Sequence, residues 1–232
     1  SITDQTTTTA NITTKALTIS GITANNKTYD GNTTAITDVT SAIKTGLVAG
    51  DTVSVSATGT FADKNVATGK TVTLISTYAG ADRDNYSITD QTTTTANITT
   101  KALTAIATAS NKTYDTSRTA STTLSFSGLV GTETLGQTVV ATFDTKDVGN
   151  GKTVTVNSIV LADGLNGGLA SNYSISTGQT TTANITAKAL TVNITASNKT
   201  YDGSNNSTVV IESLSGFIGT ETVTAAVNTA TF

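Results

Sequence analysis

Three near-identical phrases in the sequence place a tyrosine next to an aspartate. NKTYDG occurs at 26–31, NKTYDT at 111–116 and NKTYDG again at 198–203. A phenol beside a carboxylate could bind a polar ligand, but a reactive site is needed once, whereas a core residue and a turn are needed in every copy of a repeated unit. The repetition therefore favours a structural role. The motif residues are Tyr29, Asp30, Gly31, Tyr114, Asp115, Tyr201, Asp202 and Gly203.

The residue types in the motif indicate a buried ring followed by a tight turn. A tyrosine in a core buries its ring, and its hydroxyl finds a hydrogen-bond partner. Asp followed by Gly suits a turn, because Gly accepts a positive φ and Asp can accept a bond from its own backbone. Thr116 stands where the first and third copies have Gly, so we expect the second turn to differ or to be strained.

Oxygen-bearing side chains in a second stretch, GADRDNY, could hold calcium. The candidate ligands are Asp82, Asp84 and Asn85, since carboxylate and amide oxygens are the ligands that calcium prefers. Arg83 lies among them, and the matching stretch GGLASNY at 167–173 has no carboxylate. We therefore expect a solvated loop and no cofactor, with a calcium site at a junction of repeats as the alternative.

The composition excludes several classes of function. The chain has 232 residues, of which 12% are charged, a net charge of −3, and no His, Cys, Met, Trp or Pro. Without His and Cys there is no imidazole or thiolate for catalysis or metal binding. The charge balance does not fit a nucleic-acid partner, and no apolar run reaches the ~20 residues that span a bilayer. The acidic residues are spread along the chain rather than paired, so we expect no enzymatic activity.

Long stretches of the sequence recur, which marks a tandem array. SITDQTTTTANITTKALT at 1–18 returns unchanged at 87–104, and a looser copy occupies 174–191. The identical copies start 86 residues apart, which is the length of a domain and not of a solenoid coil. We predict the last strand of a preceding module at 1–14, complete modules at 15–100 and 101–187, and an incomplete module at 188–232.

Alternation of apolar and polar residues predicts β-strands. In DTVSVSATGTF at 51–61, Val53, Val55, Ala57 and Phe61 share one parity, and Thr and Ser fill the other. Thr, the dominant residue type, favours strands, and no segment has the period of an amphipathic helix. We predict an all-β protein whose modules are antiparallel, Ig-like β-sandwiches of about six or seven strands each.

The connection between modules is predicted to be stiff. The phrase ANITTKALT at 96–104 runs from the end of one module into the start of the next without Gly, Pro or a polar hinge. A short and β-prone link of this kind restricts the orientation of its neighbours. We therefore expect the modules to lie end to end as a rod.

The order of the motifs resembles that of a known family. NKTYDG is followed by GLVAGDTV at 46–53, FADKNVATGKTV at 61–72, DNYSIT at 84–89 and ANITTKALT at 96–104. Together these phrases resemble the YDG-type repeats, relatives of the mostly-bacterial-glycine (MBG-like) repeats, over essentially the whole chain. The sequence departs from this pattern mildly, at Thr116.

The resemblance implies a part of a large bacterial surface or secreted adhesin of the filamentous-haemagglutinin-like kind. The implied function is a structural stalk that projects an adhesive domain, with an extracellular location at the bacterial cell surface. Its partners would be the neighbouring modules of the same chain, and host or matrix glycans would bind through another domain. A second, mild departure is a carboxylate exchange: Glu133 and Glu221 stand where the first module has Asp51.

The alternative function is that each module is a weak glycan- or matrix-binding unit that acts through avidity. The few aromatic residues are mostly assigned to the core, whereas sugar sites usually expose Tyr or Trp, so the stalk is the favoured hypothesis. Neither hypothesis involves nucleic acid or insertion into a membrane.

Overall fold

The computed structural model describes residue 4 and residues 6–232, and within them the chain is all β, as predicted. The helical turns in this part of the chain are two three-residue 3₁₀ helices, Arg83–Asn85 and Ala170–Asn172. Neither is long and apolar enough to cross a membrane. The predicted segment 1–14 falls partly outside the described residues, and residues 6–14 form no strand.

Contacts within the chain divide it into two compact units. The first unit contains the whole first repeat together with two segments of the second repeat. The second unit contains the remaining strands of the second repeat and the third. The ranges are Ser1–Leu103, Gly128–Gly136 and Leu161–Ile175 for the first unit, and Thr104–Ser127, Gln137–Val160 and Ser176–Phe232 for the second.

The first repeat forms ten strands in three sheets. The strands are β1 (Lys15–Ser20), β2 (Thr23–Ala24), β3 (Lys27–Thr28), β4 (Thr34–Ala35), β5 (Thr37–Asp38), β6 (Ile43–Thr45), β7 (Ser54–Phe61), β8 (Ala67–Ala79), β9 (Tyr86–Thr89) and β10 (Thr93–Thr99). The sheet orders are β6-β1-β9, β3-β10-β8-β7-β4 and β2-β5. Alternation sets the inward faces, because Val72 and Leu74 of β8 are buried while the adjacent Thr71 and Thr73 are exposed.

The second and third repeats form ten further strands. These are β11 (Lys101–Ala109), β12 (Lys112–Thr113), β13 (Thr119–Ala120), β14 (Thr122–Ser127), β15 (Leu135–Phe143), β16 (Gly149–Asp163), β17 (Tyr173–Ile175), β18 (Thr180–Thr186), β19 (Thr191–Ala196) and β20 (Val209–Ser215). The sheet orders are β14-β11-β17, β12-β18-β16-β15-β13 and β19-β20. The second repeat therefore reproduces the three-stranded and five-stranded sheets of the first.

The buried cluster of the second unit draws residues from both kinds of sheet. Ala107 of β11 and Leu124 of β14 come from the three-stranded sheet, and Phe143 of β15 and Val154 of β16 come from the five-stranded sheet. Phe143 and Val154 are fully buried. One apolar core thus holds the two sheets together.

Each of the first two repeats contains parallel strand pairs, which corrects the prediction of purely antiparallel sheets. β1 pairs with β9 and β10 with β3 in parallel, and β11–β17 and β12–β18 repeat this arrangement. The strands between β1 and β9 belong mostly to the five-stranded sheet, so the chain returns to the first sheet by a long connection. Such a connection can bring a strand back in the same direction, which a hairpin cannot do.

Candidate functional site

The first NKTYDG segment is fixed to strand β10 by its backbone and by its asparagine. The Asn26 side-chain oxygen accepts a bond from the Asn97 N–H at 2.7 Å. Just beyond β3, the Tyr29 N–H donates to the Thr99 carbonyl at 2.9 Å. Tyr29 is therefore held at a fixed position at the end of the five-stranded sheet.

The lysine of the motif closes the turn that follows the tyrosine. The Lys27 ammonium donates to Asp30 Oδ1 and to the Asn32 carbonyl, both at 2.8 Å. It also donates to the Thr34 carbonyl at 3.1 Å, and it lies 5.4 Å from the centre of the Phe61 ring. Burial alone would raise the pKa of Asp30, but the bonds from Lys27 and Asn32 outweigh it and lower that pKa. The aspartate is thus engaged in the turn.

The other two copies of the motif repeat this clamp. Lys112 Nζ donates to Asp115 Oδ1 at 2.7 Å, and Lys199 Nζ donates to Asp202 Oδ1 at 2.8 Å. The bond from Lys112, together with the Ser117 N–H, lowers the pKa of Asp115 to about 2. The Tyr-Asp pair is therefore a tyrosine followed by a clamped turn in every copy, in which the aspartate bonds the lysine of its own motif.

The turn requires a left-handed backbone at its last residue. Gly31 has φ = 80° and Gly203 has φ = 78°, and Thr116 adopts φ = 66° at the equivalent position. A β-branched residue is strained in this region, because its Cβ crowds the backbone. The expectation of a strained turn in the second copy is therefore confirmed.

Replacing Thr116 with Gly is expected to stabilise the chain by about 0.5–1 kcal/mol. The left-handed conformation costs an L-residue roughly 1–2 kcal/mol, and Gly avoids this cost. Gly also gives the unfolded chain more conformational freedom, which offsets part of the stabilisation. Urea denaturation followed by circular dichroism measures the change. Asn166→Gly is the matched control: Asn166 has φ = 57°, but Asn accepts this region more readily, so its gain should be smaller. A destabilised Thr116→Gly variant would contradict the strain.

A buried carboxylate collects two tyrosine hydroxyls and an ammonium. Tyr29 Oη donates to Glu133 Oε1 at 2.6 Å, and Lys64 Nζ donates to the same oxygen at 2.8 Å. Tyr173 Oη donates to Glu133 Oε2 at 2.6 Å. Glu133 is only 6% exposed and Tyr29 only 1%. We call these four residues the Glu133 network; it lies wholly within the first unit, yet it joins two residues of the first repeat to two of the second.

Close packing surrounds the Glu133 network. The rings of Tyr29 and Tyr173 meet edge to face, with centroids 5.4 Å apart and planes at 79°. Lys64 Nζ lies 5.8 Å from the centre of the Tyr29 ring, and the Val130 N–H donates to Tyr173 Oη at 3.0 Å. A Cβ on Gly31 would lie 2.6 Å from Val130 Cγ1. The absence of a side chain at Gly31 therefore allows Val130 to approach closely, in addition to allowing the turn.

The electrostatics of the Glu133 network favour an ionised carboxylate and neutral tyrosines. Burial alone would raise the pKa of Glu133, but bonds from Lys64, Tyr173 and Tyr29 outweigh it, and the pKa lies below its usual value. Burial and the bond to Glu133 raise the pKa of Tyr173 to about 12 and also raise the pKa of Tyr29. The bond to Glu133 raises the pKa of Lys64. Near neutral pH the network therefore holds an ionised carboxylate and an ammonium, and both tyrosines are neutral.

Acid is expected to weaken the Glu133 network. Because the folded pKa of Glu133 lies below the reference value of 4.5, the ionised carboxylate stabilises the fold above that pH, and this contribution is lost as the pH falls through the folded pKa. The difference in unfolding free energy between the native chain and Glu133→Gln should therefore be largest above pH 4.5 and shrink below it. Urea denaturation over a pH series measures this. A difference that does not change with pH would contradict the assignment.

A buried asparagine adds a second contact between the same two repeats. Asn172 is fully buried; its side-chain oxygen accepts a bond from the Val66 N–H at 2.9 Å, and its nitrogen donates to Asn65 Oδ1 at 3.1 Å. The counterpart of Asn172 in the first repeat is Asn85, which is exposed. Asn85, one of the three calcium candidates, therefore stands at the position where Asn172 of the second repeat bonds Val66 and Asn65.

The calcium candidates are also engaged with the protein. Asp82 Oδ2 accepts a bond from the Thr52 N–H at 2.9 Å, and Asp84 lies 3.6 Å from the Arg83 guanidinium. Within the described part of the chain no three acidic side chains come together as a metal site would require. The calcium alternative thus receives no support from geometry.

Partial versions of the Glu133 network occur at the other repeats. In the first repeat, Tyr86 Oη donates to Asp51 Oδ2 at 2.5 Å and accepts a bond from the Val48 N–H at 3.0 Å, as Tyr173 does in the complete network. In the second unit, Tyr114 Oη donates to Glu221 Oε1 at 2.5 Å, as Tyr29 does to Glu133. The tyrosines of the first two copies of the motif therefore make the same bond to a glutamate of the following repeat.

The expected burial of the tyrosine rings holds in the first copy and fails in the third. Tyr29 is buried and Tyr114 is half-buried, but Tyr201 is 93% exposed. The physical reason is that Tyr29 is covered largely by a loop and a tyrosine of the next repeat, and no described residue occupies those positions around Tyr201.

Sequence analysis missed the partners of Tyr29. In the sequence alone, Glu133 is a mild exchange for aspartate, and Lys64, Asn172 and Tyr173 lie in phrases that match between the repeats. A signal was present, because a carboxylate recurs in LVAGD, LVGTE and FIGTE, and an Asn-Tyr pair recurs in DNYSIT and SNYSIS. A polar residue kept at the same place in each repeat, within an apolar context, is a candidate for a buried bond.

Comparison with known proteins agrees with this repeat structure. The family model of the YDG domain matches the chain twice, over residues 13–95 and 99–183. Neither the curated proteins nor the solved structures gave a match to the chain. Because the two matches follow one another and together cover most of the sequence, the chain belongs to the YDG domain family.

Proposed function

We propose that the chain is a structural stalk segment of a large bacterial adhesin, located outside the cell, in which YDG repeats are joined stiffly and project an adhesive domain. In this proposal each repeat is an Ig-like β-sandwich and successive repeats form a rod. The observation that supports it is the Glu133 carboxylate, which accepts bonds from Tyr29 and Lys64 of the preceding repeat.

The Glu133 network opposes bending between repeats. Separating the first repeat from the second would break the bonds from Tyr29 and Lys64, and would expose a tyrosine ring and a carboxylate that are otherwise buried. Buried donors and acceptors that lose their partners are costly, so a junction of this kind has one preferred geometry. Stiff junctions allow a long chain to be extended with little loss of conformational entropy.

Small-angle X-ray scattering on the chain tests the rod. We expect an elongated particle with a maximum dimension of about 90–110 Å, if each repeat contributes about 35–45 Å along its strands. Glu133→Ala should broaden the distribution of interatomic distances, because the junction loses its central bonds. Scattering that shows a compact globule, or repeats that reorient freely in the native chain, would contradict the proposal.

A glycan array discriminates the stalk from the competing hypothesis of weak binding through avidity. The stalk segment should give no dose-dependent signal on host or matrix glycans, because in this proposal another domain binds them. Reproducible binding that increases with chain concentration would favour the avidity hypothesis instead. Its partners would then be glycans rather than neighbouring repeats alone.

A further inference from the structure

We propose that Tyr29 and Tyr173 form a site of one-electron oxidation, at which their rings become joined by a carbon–carbon bond between the ring carbons next to the hydroxyls. The product is a dityrosine that links the first repeat to the second covalently. The site lies wholly within the first unit. The inference does not depend on the stalk function, since it concerns the chemistry of two neighbouring side chains.

The composition directs oxidation to tyrosine. Cysteine and methionine are common targets of oxidants in proteins, and this chain has neither of them, nor does it have Trp or His. Its six tyrosines are therefore the side chains from which an electron is most easily removed. Which tyrosines then react with one another depends on how close their rings lie.

The rings of Tyr29 and Tyr173 already lie against each other. Their centroids are 5.4 Å apart, and their planes meet edge to face at 79°. Both hydroxyls donate to one carboxylate, Tyr29 to Glu133 Oε1 and Tyr173 to Glu133 Oε2, each at 2.6 Å. Because the hydroxyls converge on the same group, the Cε ring carbons next to them converge as well. The atoms that must bond therefore approach each other through a tilt of the two rings.

Glu133 is placed to accept the protons that the oxidation releases. A phenol loses an electron more readily when its proton leaves at the same time, and a base within about 2.6–3.2 Å can take that proton. Glu133 lies at this distance from both hydroxyls, and the Lys64 ammonium, which donates to Oε1 at 2.8 Å, favours its ionised form. The Lys64 side chain is 36% exposed, so the accepted proton has a short path to water.

The coupling balances with two equivalents of a one-electron oxidant of the class that peroxidases generate from hydrogen peroxide. Each phenol in turn gives one electron to the oxidant and its hydroxyl proton to Glu133, which passes the proton to water. The two phenoxyl radicals then share their unpaired electrons in one Cε–Cε bond. The hydrogen on each bonded carbon moves to the phenol oxygen of its own ring. The net loss is two electrons and two protons, and both restored hydroxyls can again donate to Glu133.

A carboxylate alone does not make such a site. Tyr78 Oη donates to Asp90 Oδ1 at 2.7 Å, but among the described residues no second aromatic ring packs against Tyr78. Oxidation of Tyr78 therefore leaves a radical without a partner inside the chain. Tyr201 is 93% exposed, so links between separate chains are expected there, and their larger size distinguishes them from the internal link.

The test is oxidation of the full chain at low concentration by photo-oxidised tris(bipyridyl)ruthenium with persulfate, after which the monomer is isolated by size-exclusion chromatography. Trypsin places each of the six tyrosines in a different peptide, with Tyr29 in residues 28–44 and Tyr173 in residues 153–188. Mass spectrometry should identify these two peptides, joined with the loss of two hydrogens, as the major cross-link of the fluorescent monomer. The urea-unfolded chain should give at least ~10-fold less of this link, because the proximity of the rings is lost.

Variants separate the tyrosine pair from general oxidation. Tyr173→Phe should abolish the link, whereas Tyr78→Phe, which also removes a hydroxyl bonded to a carboxylate, should leave its yield unchanged. Glu133→Gln should lower the yield several-fold, because the amide does not accept the protons. Equal yields from the folded and unfolded native chain would overturn the proposal, as would a monomer without a link between Tyr29 and Tyr173. An undiminished yield in Glu133→Gln would overturn the role of the carboxylate.

Discussion

Glu133→Ala is expected to destabilise the first unit by about 3 kcal/mol. Removing one member of a buried ion pair typically costs about 3–5 kcal/mol, and the lower end applies here because the Lys64 side chain is 36% exposed and water can reach its ammonium. The substitution also leaves the hydroxyls of Tyr29 and Tyr173 without their acceptor. Native-state hydrogen exchange measures the loss at the amides of Val66 and Val130, which bond residues of this junction.

The matched control for this prediction is Glu221→Ala. Glu221 occupies the equivalent position and accepts a bond from Tyr114, but it is exposed and lacks the second tyrosine. Its replacement should therefore change stability much less than Glu133→Ala does. Similar small losses for both variants would show that the Glu133 network contributes little, and the stiff junction would lose its support.

Phe143→Ala is expected to destabilise the second unit by about 3–5 kcal/mol. The ring is fully buried in the core that joins the three-stranded and five-stranded sheets, and its removal leaves a cavity in addition to the lost transfer energy. The Lys112 ammonium, 5.4 Å from the ring centre, loses a favourable contact as well. The expected result is a lower midpoint in urea denaturation followed by circular dichroism.

An exposed residue of the same strand provides the control for Phe143. Val140 also lies on β15, but its side chain faces solvent. Val140→Ala should cost less than about 1 kcal/mol, which reflects strand propensity alone. If the two substitutions had equal effects, Phe143 would not be a core residue of the kind described.

The sequence allowed much of the fold to be predicted, because its signals are local. Alternation in DTVSVSATGTF identified strand β7, and the Asp-Gly pairs identified turns with positive φ. The strain at Thr116 also followed from one residue type at one position. Strand direction was not predictable in this way, since the period of two is the same in parallel and antiparallel pairs.

The Glu133 network illustrates the limit for the candidate site. The sequence indicated that Tyr29 would bury its ring and find a partner, and both hold. It did not indicate that the partner would be a carboxylate 104 residues away in the following repeat. Nothing local distinguishes Glu133 from the exposed Glu221, because they stand in the same phrase, GTET.

The sequence by itself determined the all-β class, the repetition and the turn chemistry of the NKTYDG motif, because alternation and glycine placement act over a few residues. Only the tertiary structure decided which tyrosines are buried, which carboxylate is enclosed, and which strands run parallel. These features depend on groups brought together from distant parts of the chain. The same six residues therefore give a ring at Tyr29 that groups of the next repeat bury, and an exposed ring at Tyr201.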